Sequence, residues 1–143
     1  MTKPDLKNLG KQTDHVLQGA DASLLETVPN PMKVPHNGNH WDNRITIIGD
    51  EFTSLCPATK GPDFGEIKIE YVPNKTLVES KSLKYYLESY RMEPIFHEAI
   101  VAKIRDDLVA LLDPYEIFVE GNFKPRGGWA IRPTASYLRS EQD

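Results

Sequence analysis

The sequence predicts an α+β domain, an antiparallel sheet carrying two helices on one face, and three observations predict it. Two stretches alternate apolar and polar residues with period two, GEIKIEYVP and YEIFVEGNF. Between them lie two segments with helical periodicity, ESKSLKYYLESY and EPIFHEAIVAKIRDDLVALLD. A strand-like run stands before this group and another after it, so the order is β-β-α-α-β-β. Strands that come in consecutive pairs around a block of helices form an antiparallel sheet.

Residues 1–40 come first and carry Pro4, Pro29, Pro31 and Pro35, three of them within seven positions. Proline lacks an N–H and fixes φ, so such a segment holds no long helix and no central strand. Leu24 and Leu25 alone hint at a short ordered piece. The expectation is an irregular arm over 1–40, lying along the domain or a neighbouring subunit, and a catalytic domain over 41–143. RITIIGDEFTSL opens regular structure with β-branched residues. In GEIKIEYVP, Ile67, Ile69 and Tyr71 share one face and Glu66, Lys68 and Glu70 the other, a half-buried strand. The second helix carries Phe96, Ile100, Ile104, Leu108 and Leu111 on one stripe, with Pro94 suited to its first turn and Pro114 ending it. A Pro-Arg-Gly-Gly turn then precedes a last strand in GWAIRPTASY. Four strands leave two sheet edges open, and closing the sheets of several subunits into a shared barrel removes them.

The 143 residues have an ordinary globular composition, 39% hydrophobic and 27% charged, with a net charge of −4. A negative chain is a poor partner for a nucleic-acid backbone, and no apolar run reaches membrane-spanning length. The polar N-terminus lacks the apolar core of a signal peptide. A single cysteine, Cys56, forms no internal disulfide and excludes every multi-cysteine zinc pattern; with the N-terminus it points to a reducing cytoplasm.

Four constellations are candidates for chemistry. Cys56 precedes a loop with Pro57, Gly61 and Pro62, and Asp63 stands across it, placed to fold back as a base beside a thiol. ESKSLKYY puts Lys81 and Lys84 at a helix start, where unpaired N–H groups and positive charge suit a phosphate, with Ser80 or Ser82 as the cap. His97 and Glu98 open the second helix, and a carboxylate there can accept paired hydrogen bonds from a guanine-like edge. His36 and His40 have a metal-like spacing, but Asn37-Gly38-Asn39 between them reads as a surface loop, so no metal is expected.

SLCPATKGPDF, ESKSLKYY, FHE and PRGGW occur in that order, and this order resembles the single-domain form of the NADPH-dependent 7-cyano-7-deazaguanine reductases. Glu79, Ser80, Lys81, Ser82, Leu83, Lys84 and Tyr85 fill every position of that family's signature, and the resemblance spans roughly residues 43 to 137. It implies the tunnelling fold shared with GTP cyclohydrolase I, whose sheets join into a barrel in the oligomer. The implied assembly is a decamer of two stacked pentamers with sites between subunits.

The resemblance also implies the reaction. The nitrile of 7-cyano-7-deazaguanine is reduced to 7-aminomethyl-7-deazaguanine by two NADPH, within queuosine biosynthesis, through a covalent thioimide on Cys56. Asp63 is the implied acid and base, Glu98 and His97 the substrate contacts, and residues 79–85 the NADPH segment. Arg126 is a further contact that the family suggests for the cofactor. Two alternatives keep part of this picture, a cysteine-dependent nitrile hydrolase and a non-catalytic purine- or pterin-binding ring. The complete signature weighs against the first and the intact Cys56 and Asp63 pair against the second.

Overall fold

The computed structural model describes residues 19–140. The main sheet has four antiparallel strands in the order β2 (Ile45–Leu55), β3 (Pro62–Val72), β5 (Glu116–Phe123), β6 (Thr134–Leu138). Helices α1 (Ser80–Glu88) and α2 (His97–Leu112) follow β3, with α2 packed against β5 and β6 and α1 reaching β2. Apolar residues of the alternating strands meet the apolar stripe of α2: Ile67, Ile69, Ile117 and Val119 are buried against Ile100, Ile104 and Leu108. Each such side chain contributes about 1.5–3 kcal/mol when fully buried. Glu66, Lys68, Glu70, Phe118 and Glu120 stay half-exposed on the opposite face of the sheet. Strands β2 and β6 each have one neighbour, so the sheet is open at both edges rather than closed into a barrel.

Part of the proline-bearing segment docks on the domain itself. After a 3-10 turn at Ala22–Leu24, capped by the Asp21 side chain, Leu25 enters the core. Strand β1 (Thr27–Pro29) then pairs with β4 (Thr76–Val78) as a two-stranded ribbon. Pro29 ends β1, a place where its missing N–H costs no ladder bond. Pro4 lies outside the described residues.

Two expected elements are corrected. Pro94 does not open the second helix: Leu55 N–H donates to the Glu93 carbonyl at 3.0 Å and Ile95 N–H to the Leu55 carbonyl at 3.2 Å. These bonds hold residues 93–95 beside the end of β2, and the helix starts at His97 with Phe96 as its N-cap. Phe96 is consequently 66% exposed instead of lying on the buried stripe. The last strand is shorter than GWAIRPTASY, because Arg126 and Trp129 close a tight turn and Pro133 offers no N–H.

A bulge sets the phase of β2. Between Gly49 and Phe52 the pairing with β3 shifts register. Before it Ile45, Ile47 and Gly49 face inward, and after it Phe52 and Ser54 do. The extra residue flips the parity of everything downstream. It thereby decides how the chain enters the loop that carries Cys56.

Candidate active site

The loop of residues 56–61 joins β2 to β3 and is tied at its neck. Cys56 N–H donates to the Gly61 carbonyl at 2.8 Å, and Lys60 N–H donates to the Cys56 carbonyl at 2.9 Å. Cys56 is half-buried and faces a cleft of about 420 Å³ lined by Thr59, Asp63, Arg126, Trp129 and Ile131 among others. Its thiol is lowered to about 7. The Thr59 hydroxyl is the largest cause, followed by the N–H groups of Thr59 and Ala58; Arg126 assists and desolvation opposes. A thiol lowered this far is substantially thiolate at neutral pH, the form that attacks electrophiles.

Asp63 sits on β3 opposite Ser54 and is 5% exposed. Its backbone carbonyl accepts the Thr53 hydroxyl at 2.8 Å. Its carboxylate is held from two sides: His97 Nε2 lies 3.1 Å from Oδ2, and Arg126 Nη1 lies 3.1 Å from Oδ1 and 3.3 Å from Oδ2. A buried carboxylate needs such partners, since an unpaired one would be costly. His97 is 4% exposed and its ring stacks on Phe123, with centroids 3.8 Å apart and planes 6° from parallel. Its Nδ1 is buried and has no hydrogen-bond partner among the described residues. With Nε2 turned to Asp63, the imidazole couples the start of α2 to the carboxylate.

Arg126 reaches Asp63 from a two-residue turn. Gly127 and Gly128 take φ values of 59° and 85°, which glycine adopts freely. Arg126 and Trp129 then exchange backbone hydrogen bonds of 2.9 and 3.0 Å. Trp129 projects at the cleft mouth, 80% exposed.

Thus Cys56 and Asp63 share one cleft, as the sequence suggested, and His97 joins them through Asp63. Glu98 is exposed on the first turn of α2, outside the cleft lining. Thr59 was missed, although a threonine three residues after a cysteine is a local signal for side-chain capping. Arg126 was noted only for the cofactor; its partnership with Asp63 joins residues 63 positions apart and depends on strand register.

The signature segment lies elsewhere on the domain. Glu79, not Ser80 or Ser82, caps α1: its carboxylate accepts from Lys81 N–H at 2.8 Å and Ser82 N–H at 2.7 Å. These bonds hold the Glu79 carboxyl below the usual carboxylate range, with the Lys81 charge assisting. The two N–H groups expected for a phosphate are therefore already taken. Ser82 is buried and its hydroxyl accepts from Glu26 N–H at 2.9 Å, while Leu83 is a core residue. Ser80 and Lys84 line a largely apolar groove of about 370 Å³ between α1 and β2, with Gly49, Phe52 and Leu87. Lys81 places its ammonium 5.9 Å from the Tyr85 ring centroid. Neither lysine forms a salt bridge among the described residues. Two ammonium groups uncommitted to carboxylates fit an anionic ligand.

No helix among the described residues is long and apolar enough to cross a membrane. A family model described as QueF-like protein matches residues 62–142. The NADPH-dependent 7-cyano-7-deazaguanine reductase of Helicobacter pylori (strain Shi470) is 48% identical over 138 residues, 96% of this chain and 90% of that protein. The enzyme of the same name from Bacteroides fragilis (strain ATCC 25285) is 46% identical over 137 residues, 96% of this chain and 86% of that one. The solved structure of the archaeosine synthase QueF-Like in the apo form superposes with a TM-score of 0.58 at 24% identity, covering 66% of this chain and 90% of that chain. That likeness establishes a common architecture, the α+β tunnelling fold. With almost its whole length aligned at close to half identity, the chain belongs to the QueF-like family of NADPH-dependent 7-cyano-7-deazaguanine reductases.

Proposed function

We propose that this chain reduces the nitrile of 7-cyano-7-deazaguanine to an aminomethyl group with NADPH, by way of a covalent thioimide on Cys56. The observation that carries this reading is the shared cleft: a lowered thiol and a partnered, buried carboxylate line the same cavity. A nitrile carbon is electrophilic toward a thiolate. The S–C bond forms as one π bond of C≡N breaks, and the proton lost from sulfur ends on nitrogen, carried by Asp63. His97 and Arg126 hold the carboxylate at that task. Addition expels nothing, and it replaces a poor hydride acceptor with a C=N that can be protonated.

NADPH, when bound, supplies the hydrides, two equivalents for four electrons. Lys81 and Lys84 are the residues offered to its phosphates, with the groove beside Lys84 available to apolar parts of the cofactor. Glu79, Ser82 and Leu83 serve the segment by shaping the helix that displays the two lysines. Glu98 is assigned to the guanine-like edge of the substrate, as an exposed carboxylate at the head of α2 beside His97. The open edges β2 and β6, with Ile48 and Leu138 exposed along them, favour assembly into a ring and a decamer. Sedimentation at micromolar concentration checks this, and a 16 kDa species alone would reject it.

Intact-protein mass spectrometry tests the chemistry. Protein mixed with the nitrile alone should gain the full substrate mass, and added NADPH should discharge it. Release of amide or acid without NADPH would instead establish a nitrile hydrolase, and absence of any adduct would leave a binding ring.

A further inference from the structure

The Cys56 loop contains a device that the reaction assigned above does not use. To close its neck, Lys60 takes a left-handed φ of 62°, a conformation a lysine holds only when its surroundings enforce it. The closed loop turns the N–H groups of Ala58 and Thr59 and the Thr59 hydroxyl onto the Cys56 sulfur. The hydroxyl is itself pinned, since its oxygen accepts the Gly61 N–H at 3.2 Å. A hydroxyl has one proton to donate, and with its oxygen engaged by Gly61 that proton is left for the sulfur.

We propose that Thr59 is the positioning residue that prepares Cys56 for addition, its pinned hydroxyl holding the sulfur as a thiolate aimed into the cleft. This rests on Cys56 being the nucleophile, and it divides the labour of the site. The loop makes the thiolate, and Asp63 is left to handle the proton at the substrate nitrogen. The charged groups around the sulfur agree with that division. Arg126, from the turn between β5 and β6, favours the thiolate. Asp63, on β3, carries a charge of the sign that disfavours one, and His97, on α2, faces Asp63. Lys60 is exposed on the loop.

Thr59→Val removes the hydroxyl and keeps the shape, while Thr59→Ser keeps the hydroxyl. Alkylation of the whole protein by iodoacetamide, without nitrile or NADPH, followed by intact mass between about pH 5 and 10, reads the thiolate directly. The wild-type midpoint should lie at about 7. In Thr59→Val it should rise by about one unit toward the ordinary thiol value, slowing alkylation at pH 7 about fivefold and leaving the alkaline plateau unchanged. Thr59→Ser should restore the wild-type profile. Asp63→Asn should leave the midpoint at or below the wild-type value.

A Thr59→Val midpoint that stays at the wild-type value overturns the proposal. An equal shift in Thr59→Val and Thr59→Ser also overturns it, because packing rather than the hydroxyl would then be the cause. A shift confined to Thr59→Val, in a protein that fails to reduce the nitrile, would uphold the role of Thr59 and reject the reductase reading instead.

Discussion

The Cys56 cleft and the Lys81–Lys84 face of α1 are built on opposite terms. In the cleft every polar group that matters is already engaged: Asp63 by His97 and Arg126, and the sulfur by Thr59 and two backbone amides. On α1 the acceptors are spent on the fold, with Glu79 capping the helix, while the lysine ammonium groups form no salt bridge among the described residues. Bond making needs groups fixed before the substrate arrives, because reorganising them during the reaction adds to the barrier. Holding a flexible, highly charged cofactor needs only charge at the right place, and uncommitted lysines provide it at little folding cost. Preorganisation therefore marks where chemistry occurs, and uncommitted charge marks where a ligand docks.

That contrast predicts a ranking of substitutions. Cys56→Ala should remove both adduct and reduction, read by intact mass and by NADPH consumption at 340 nm; surviving reduction would end the covalent mechanism. Asp63→Asn should come next, lowering kcat by about 10²–10⁴-fold. Because the amide keeps the pocket's shape, substrate binding in that variant should change far less, a split that equilibrium titration of the nitrile can check. Glu98→Gln exchanges one acceptor for a donor facing the substrate's own donors, so nitrile affinity should weaken by about 1–3 kcal/mol while Cys56 still alkylates normally. Unchanged affinity would place Glu98 among ordinary helix-start carboxylates. The smallest effects belong to Lys81→Ala and Lys84→Ala. Solvent-accessible charge contacts are worth about 1 kcal/mol or less apiece, roughly a fivefold rise in the KM for NADPH, and the rise should shrink as salt is added. Effects on kcat rather than KM would contradict the contrast drawn here.

The parts of the fold that were legible in the sequence are those set by local periodicity. Alternation gave β3 and β5, and the helical stripe gave α2 through Ile100, Ile104 and Leu108. The errors fall where a long-range contact overrides a local signal. Pro94 has the φ of a helix start, yet Leu55 captures the backbone on either side of it. Glu79 outcompeted the two serines as the α1 cap because its carboxylate spans two N–H groups at once. The β1–β4 ribbon joins segments that neither alternate nor lie close in sequence. In the site, Cys56 and Asp63 were legible because one short loop joins them. The bond from Arg126 to Asp63 was not, since it exists only after β3 and β5 pair and carry the turn to the cleft.

The Gly127–Gly128 turn has a mechanical consequence. Its two backbone bonds make Arg126 and Trp129 a single rigid unit, and the unit is anchored upstream by Lys124 N–H donating to the Phe64 carbonyl at 2.9 Å. Beyond that anchor the segment projects outward, and a Cβ on either glycine would meet nothing within 4 Å. A displacement that swings the indole away from the cleft mouth must also draw the guanidinium off Asp63. Access for a substrate and charge on the carboxylate are thereby geared together, so that opening the door also changes the acid waiting behind it.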